Sequence, residues 1–234
     1  MTAQRETEPQ SRIPLSRDRV LRGAVAVADE GGLDTLTMRN LAEALGVEAM
    51  SLYYHVANKE ALLDGVAEVI VGEVLAEAET VEGPAPEEDW KTAMRLRILA
   101  ARQVMLRHRW APYLIETRTT MNPALLHYYH GLLEIWRRAG FSYDLAHHAM
   151  HALGSRALGF TQELFEPAPG SDDESVTDEM FEKMADQLPY LVEMLGEISH
   201  DDPETTIGWC DDQTEFEFGL DLLLDGLEQR RLTG

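Results

Sequence analysis

The chain has 234 residues, enough to bury a core without covalent staples, and its 44% apolar and 26% charged residues exclude wholesale disorder. A single cysteine, Cys210, excludes an intrachain disulfide and points to a reducing, cytoplasmic setting; MTAQRETEPQSR has no apolar stretch and no run of eighteen apolar residues occurs, so neither a signal peptide nor a membrane span is expected. The formal charge of −22 argues against nucleic acid as a whole-surface partner, but it is uneven: residues 1–65 hold seven Lys/Arg against ten Asp/Glu, and the rest thirteen against thirty-two.

Residues 1–14 are polar and irregular and are expected to form a mobile arm. Ser16 has the side chain of an N-cap, and Asp18 suits the positive end of a helix dipole. Val20, Ala24, Val27 and Ala28 then supply one apolar stripe before Gly31-Gly32 stops the helix. Thr37 caps a second, short helix with Met38, Leu41, Ala42 and Leu45 on one side and Gly46 at its end. EAMSLYYHV follows, too short to be helical without tertiary support. Asn58 caps a fourth helix whose buried stripe is Leu62, Val66, Val69 and Ile70. Arg12, Arg17, Arg19, Arg22, Arg39 and Lys59 are expected to gather on one face, with the acidic remainder repelling DNA and so orienting the molecule.

Helix, glycine turn and short helix make a helix-turn-helix, in which the second member enters a major groove. Leu52 and Val56 can face back toward Leu41 and Leu45. That leaves Met50, Ser51, Tyr54 and His55 pointing outward on a segment too small to need so much apolar cover. Tyrosine and histidine can meet phosphate or sugar through their polar ends, and Ser51 can hydrogen-bond a base edge. Tyr53 is open to two readings, a ring that seals the small domain or one that touches DNA.

The stretch LTMRNLAEALGVEAMSLYYHVANKEALLDGV resembles the DNA-binding domain of tetracycline-repressor-type (TetR-family) transcriptional regulators, and FEFGLDLLLDGLEQ extends a weaker likeness to the C-terminus. The resemblance implies that Thr37 approaches phosphate and Arg39 a base edge. It also implies that Ala49, Met50, Ser51, Tyr53, Tyr54 and His55 line the recognition helix and that Lys59 holds a phosphate. Ala49 and Met50 depart from the polar reader and proline of the nearest branch, so contact with a thymine methyl replaces a hydrogen bond and the operator is not transferable.

The fold expected is all-α: an N-terminal three-helix unit (15–66) joined by the fourth helix to a ligand-binding and dimerisation domain (67–234). Helices are expected near 90–108, 123–139, 142–164, 178–197 and 204–230, separated by loops that include VEGPAPEED and the acidic EPAPGSDDESVTDE. In the last, Phe216, Leu220, Leu223 and Leu227 form a stripe interrupted by Gly219 and Gly226, for which close approach of another helix would compensate. A two-fold dimer pairing 142–164 and 204–230 with their symmetry mates would make a four-helix bundle, as the resemblance also implies.

Arg97, Met105, Trp110, Tyr113, His151, Arg156 and Phe160 are the candidates for an effector pocket, mixing apolar wall with polar anchors. His127 and His130 are three apart, and His147 and His151 four apart with His148 between, a spacing open to metal ligands, but HExxH and nearby cysteine are missing. The branch's metal-chelated drug is held through a histidine where this chain has Ile115, and an apolar side chain ligates nothing; Glu163 alone does not replace it. No cofactor and no resident metal are expected.

The leading expectation is a homodimeric, ligand-responsive repressor of double-stranded operator DNA, with a small-molecule effector and no membrane partner. A metal-dependent hydrolytic enzyme using His147 and His151 is the alternative, though no nucleophile elbow, phosphate loop or dinucleotide fingerprint supports it. A regulator acting through a protein partner is the third.

Overall fold

The computed structural model describes residues 14–119, 122–159, 187–190, 192–193 and 212–233. The N-terminal arm, Arg12, Phe160, Glu163, Cys210, the acidic loop and most of the helix expected at 178–197 lie outside the described residues. Every regular element among those described is helical: α1 (Arg17–Gly31), a 3₁₀ turn (Leu33–Thr35), α2 (Met38–Leu45), α3 (Ala49–Leu52), α4 (Lys59–Glu79), α5 (Pro86–Arg107), α6 (Ala111–Thr117), α7 (Pro123–Arg138), α8 (Tyr143–Gly159) and α9 (Asp212–Thr233). They form two compact units, residues 1–77 with 107–129, and residues 78–106 with 130–234.

In the first unit the helix ends are set by the residues the sequence points to. The Ser16 hydroxyl accepts from the Arg19 amide at 3.2 Å, Thr37 from Asn40 at 3.1 Å, and the Asn58 carbonyl from Ala61 at 2.8 Å. Each satisfies an amide that has no partner within its own helix. Gly46 closes α2 at φ 66°, a left-handed conformation that glycine adopts without strain. The α1 core face is wider than the stripe expected: Leu21 and Val25 are buried with Val20, Ala24 and Ala28, whereas Val27 is half-buried. One cause is Gly65 on α4, where a Cβ would stand 2.6 Å from Leu21, so α1 approaches α4 more closely than an alanine would permit.

The segment after α5 closes this unit from another side. Buried His108 places Nδ1 2.8 Å from Asp29 at the end of α1 and Nε2 3.1 Å from Glu73 on α4. The Trp110 indole donates to the same Asp29 oxygen at 2.7 Å, and Arg118 reaches back to Glu60 at 2.8 Å. Helix α6 has no counterpart in the sequence reading. Its seven residues, APYLIET, carry proline near the start and are too few to establish a period.

In the second unit α5 breaks at Asp89 (φ −150°, ψ 83°), whose carboxylate accepts from the Thr92 amide at 3.1 Å. The continuous helix thus begins at Trp90, where the sequence places it, with one added turn from Pro86. Along α9 the fully buried stripe is Phe216, Leu220, Leu224 and Leu227; Leu223 is only half-buried, a correction of one position that keeps α-helical spacing. The two α9 glycines differ. A Cβ on Gly219 would meet the Arg156 guanidinium at 2.6 Å, so α8 does approach there, while nothing lies within 4 Å of one on Gly226.

Candidate nucleic-acid interface

Helix α3 contains four residues and makes no side-chain N-cap hydrogen bond, so its position depends on what it packs against. Leu52 is fully buried and Val56 nearly so, in a unit whose core also holds Val20, Leu36, Leu41 and Leu62 at 0% exposure. These two anchors fix the rotation of the segment. As a result Ala49 is exposed, Met50 is 69% exposed and Tyr54 89% exposed, while Ser51 and His55 are half-buried. Tyr53 is 44% exposed, so part of its ring contacts protein and the rest is available outward.

A side chain as large as Tyr54 left almost wholly in solvent gains little stability for its own domain, and with Met50 it forms an apolar-edged surface without an intramolecular purpose. Arg39 at the start of α2 and Lys59 at the start of α4 are both exposed, and no ion pair holds either among the described residues. Thr37 is half-buried with its hydroxyl oxygen accepting from Asn40, which leaves the hydroxyl proton able to donate to an anion.

Three of the cations expected on one face have partners of their own, and Arg12 lies outside the described residues. Arg17 turns to Glu68 at 3.2 Å and Arg22 to Asp18 at 3.0 Å, both within this unit, and one Arg19 N–H is directed at the Leu45 carbonyl at 3.4 Å. Acidic residues on α1 and α4 therefore take up two of the charges. Net charge along the sequence does not reveal that Arg17 and Glu68, 51 positions apart, meet.

The seven effector-pocket candidates fall in different environments. Trp110 and Tyr113 belong to the first unit, where Trp110 uses its N–H on Asp29 and Tyr113 is 66% exposed. In the second unit Met105 is buried, Arg97 lies against Gly131 of α7, and Arg156 packs 5.3 Å from the Phe216 ring. His151 is exposed beside His147, and Phe160 lies outside the described residues. A cleft of about 120 Å³ in the first unit is bounded instead by Arg17, Asp64, Glu68, Ile115, Arg118 and Leu125, none of them among the seven. Among the described residues no group of three or more His, Cys, Asp or Glu side chains could hold a metal ion. No helix among them is long and apolar enough to cross a membrane.

The contacts that sequence reasoning missed are the Asp29–His108–Glu73 bridge, which joins α1, α4 and the α5–α6 turn, and the Arg118–Glu60 pair, which joins the end of α6 to α4. No local signal marks His108, because its partners lie 79 and 35 positions away.

Comparison with known proteins extends over most of the chain. Residues 20–66 match the family described as "Bacterial regulatory proteins, tetR family", and residues 83–231 match "Tetracyclin repressor-like, C-terminal domain". The class C tetracycline repressor protein of Escherichia coli is 30% identical over 94% of this chain and 93% of its own. A possible TetR-family transcriptional regulator from Streptomyces coelicolor superposes with a TM-score of 0.70 at 30% identity, covering 92% of this chain and 99% of that one. ActR of the same organism, solved in complex with actinorhodin, gives 0.67 at 25% identity, covering 94% and 99%.

Proposed function

The chain belongs to the TetR family of ligand-responsive transcriptional regulators, and on that premise we propose that it is a repressor that binds a near-palindromic operator as a homodimer and is released by a small molecule. The observation that carries this reading is the rotation of α3: Leu52 and Val56 are buried, and Met50 and Tyr54 are left in solvent. Met50 and Ala49 would contact base edges apolarly, Ser51 would read one by hydrogen bond, and Tyr53, Tyr54 and His55 would lie along the sugar–phosphate chain. Thr37 and Lys59 would hold phosphates, with Arg39 directed at a base edge. Two such units on one DNA face need recognition elements about 34–36 Å apart.

The effector would be held in the second unit, with Arg97, Met105 and Arg156 the candidates best supported by their partial or complete burial. The actinorhodin complex of ActR supports a small organic molecule as the effector class. Coupling of about 1–3 kcal/mol between effector and operator suffices for control, because only the difference in affinity between two arrangements acts. Residues 15–66 would then be the reading domain and 67–234 the sensing one. A regulator working in the cytoplasm, and not an enzyme, is the consistent assignment.

Selection of bound duplexes from a random pool tests the proposal. A two-fold motif should be enriched, and Lys59→Ala should weaken binding evenly across sequences while lowering the salt slope by about one unit. Ser51→Ala should instead change the preferred base at one position in each half-site. A pool that stays random with the intact protein would overturn the assignment.

A further inference from the structure

The side of α8 turned away from its own subunit carries chemistry that neither operator reading nor effector binding uses. Ala146, Ala149 and Leu153 face the core, whereas Asp144, His147, His148 and His151 are all exposed. His147 and His151 stand one helical turn apart with ring centroids 4.6 Å from each other, edge to face. Two imidazoles sharing one tetrahedral zinc ion at about 2.0–2.1 Å have ring centres roughly 5 Å apart. The pair is therefore already near the separation of a two-donor chelate, and small rotations of exposed rings complete it. His148 inclines elsewhere: its ring is 5.9 Å from that of His147, and its Nε2 is 3.8 Å from Asp144.

Two donors are half of what a closed zinc site requires, and no group of three suitable side chains exists within the described residues of one chain. A second copy can supply the remainder. Helix α9 packs on α8 through its buried Phe216 stripe yet leaves Phe218 62% and Leu222 59% exposed, an apolar i, i+4 pair that faces solvent among the described residues. In a two-fold contact a patch meets its own copy, so a side-chain pair near the axis is doubled. We infer that His147 and His151 of two chains together bind one divalent ion of the zinc class across the contact between their α8 helices, with four imidazole nitrogens as donors. The inference rests on the homodimer reading given above. Such an ion binds the dimer, with four donors, more tightly than the separated chains, with two, and so stabilises the dimer by mass action.

The test uses the full chain without an affinity tag, stripped with a chelator and titrated with zinc sulfate, with stoichiometry read by native mass spectrometry. One ion for two chains is expected, with dimer dissociation weakened about tenfold or more at saturating zinc. His147→Gln and His151→Gln, singly and together, should lose the ion while keeping the helical circular dichroism, and His148→Gln should keep it. Absence of saturable binding, one ion per chain, or unchanged binding in the double variant would overturn the site. A dimer that binds operator but no zinc removes this inference alone; a chain that is monomeric with and without zinc removes the homodimer reading and this site with it.

Discussion

The helix-turn-helix unit and the α5–α9 seam of the second unit are held together by different physics. Helices α2 and α3 have eight and four residues, so neither is stable alone, and both depend on Leu36, Leu41, Leu52 and Leu62 at 0% exposure. The seam joins two long helices, α5 from Trp90 onward and α9, and side by side with its apolar core it carries a row of charged contacts. Lys91 meets Asp225 at 2.9 Å, Arg95 meets Asp221 at 2.7 Å, and Trp90 and Arg231 both hold Glu228. Short elements must be placed by shape; long ones can add electrostatic register.

The difference also explains where the acid burden goes. Residues 66–234 hold thirty-two Asp/Glu against thirteen Lys/Arg, and α9 contributes carboxylates to those seam contacts. Exposed pairs of this kind each contribute little, about 0–1 kcal/mol, so their value is in orientation more than in stability.

Leu52→Ala should cost about 2–5 kcal/mol, measured by urea unfolding, and should abolish operator binding because α3 loses its anchor. If operator affinity is unchanged, α3 is not positioned by Leu52. His108→Ala should cost about 1–3 kcal/mol by removing the shared partner of Asp29 and Glu73, with an effect on the first unit that hydrogen exchange of α1 and α4 would localise.

The α9 glycines sharpen the contrast at smaller amplitude. Gly226→Ala meets open space in the single chain and should raise thermal stability by up to about 1 kcal/mol. Gly219→Ala should gain less, because its methyl must displace the Arg156 guanidinium. Thermal melts of the two variants in parallel check the order.

The smallest effect is in the seam's response to acid. The Arg231 guanidinium, helped by the Trp90 N–H, lowers the Glu228 pKa from 4.5 to about 2. A depressed folded-state value means that this contribution is present above the unfolded pKa and is lost as pH falls from about 4.5 toward about 2. Glu228→Gln should therefore flatten the stability profile across that interval and leave the slope above pH 6 unchanged, as a pH series of denaturant midpoints would record.

Much of the reading unit was legible because its signals are local. Ser16, Thr37 and Asn58 cap amides three residues ahead, Gly46 has the left-handed conformation its position demands, and the outward direction of Met50 and Tyr54 follows once Leu52 and Val56 turn inward. Less was legible where partners are distant or periods are short. Helix α6 has too few residues for a pattern, Leu224 and not Leu223 completes the α9 stripe, and the effector candidates carry no periodic mark that separates pocket wall from core.

By itself the sequence determined the helical class, the ends of the N-terminal helices and the family to which they belong, since caps and apolar spacing act within a few residues. Only the tertiary structure decided that Arg17 pairs with Glu68 within the first unit, that His108 bridges α1 and α4, and that Gly219 makes room for Arg156. The physical reason is the range of the interactions: an ion pair or a close approach depends on which surfaces the folded chain brings together, and no local window of residues contains that information.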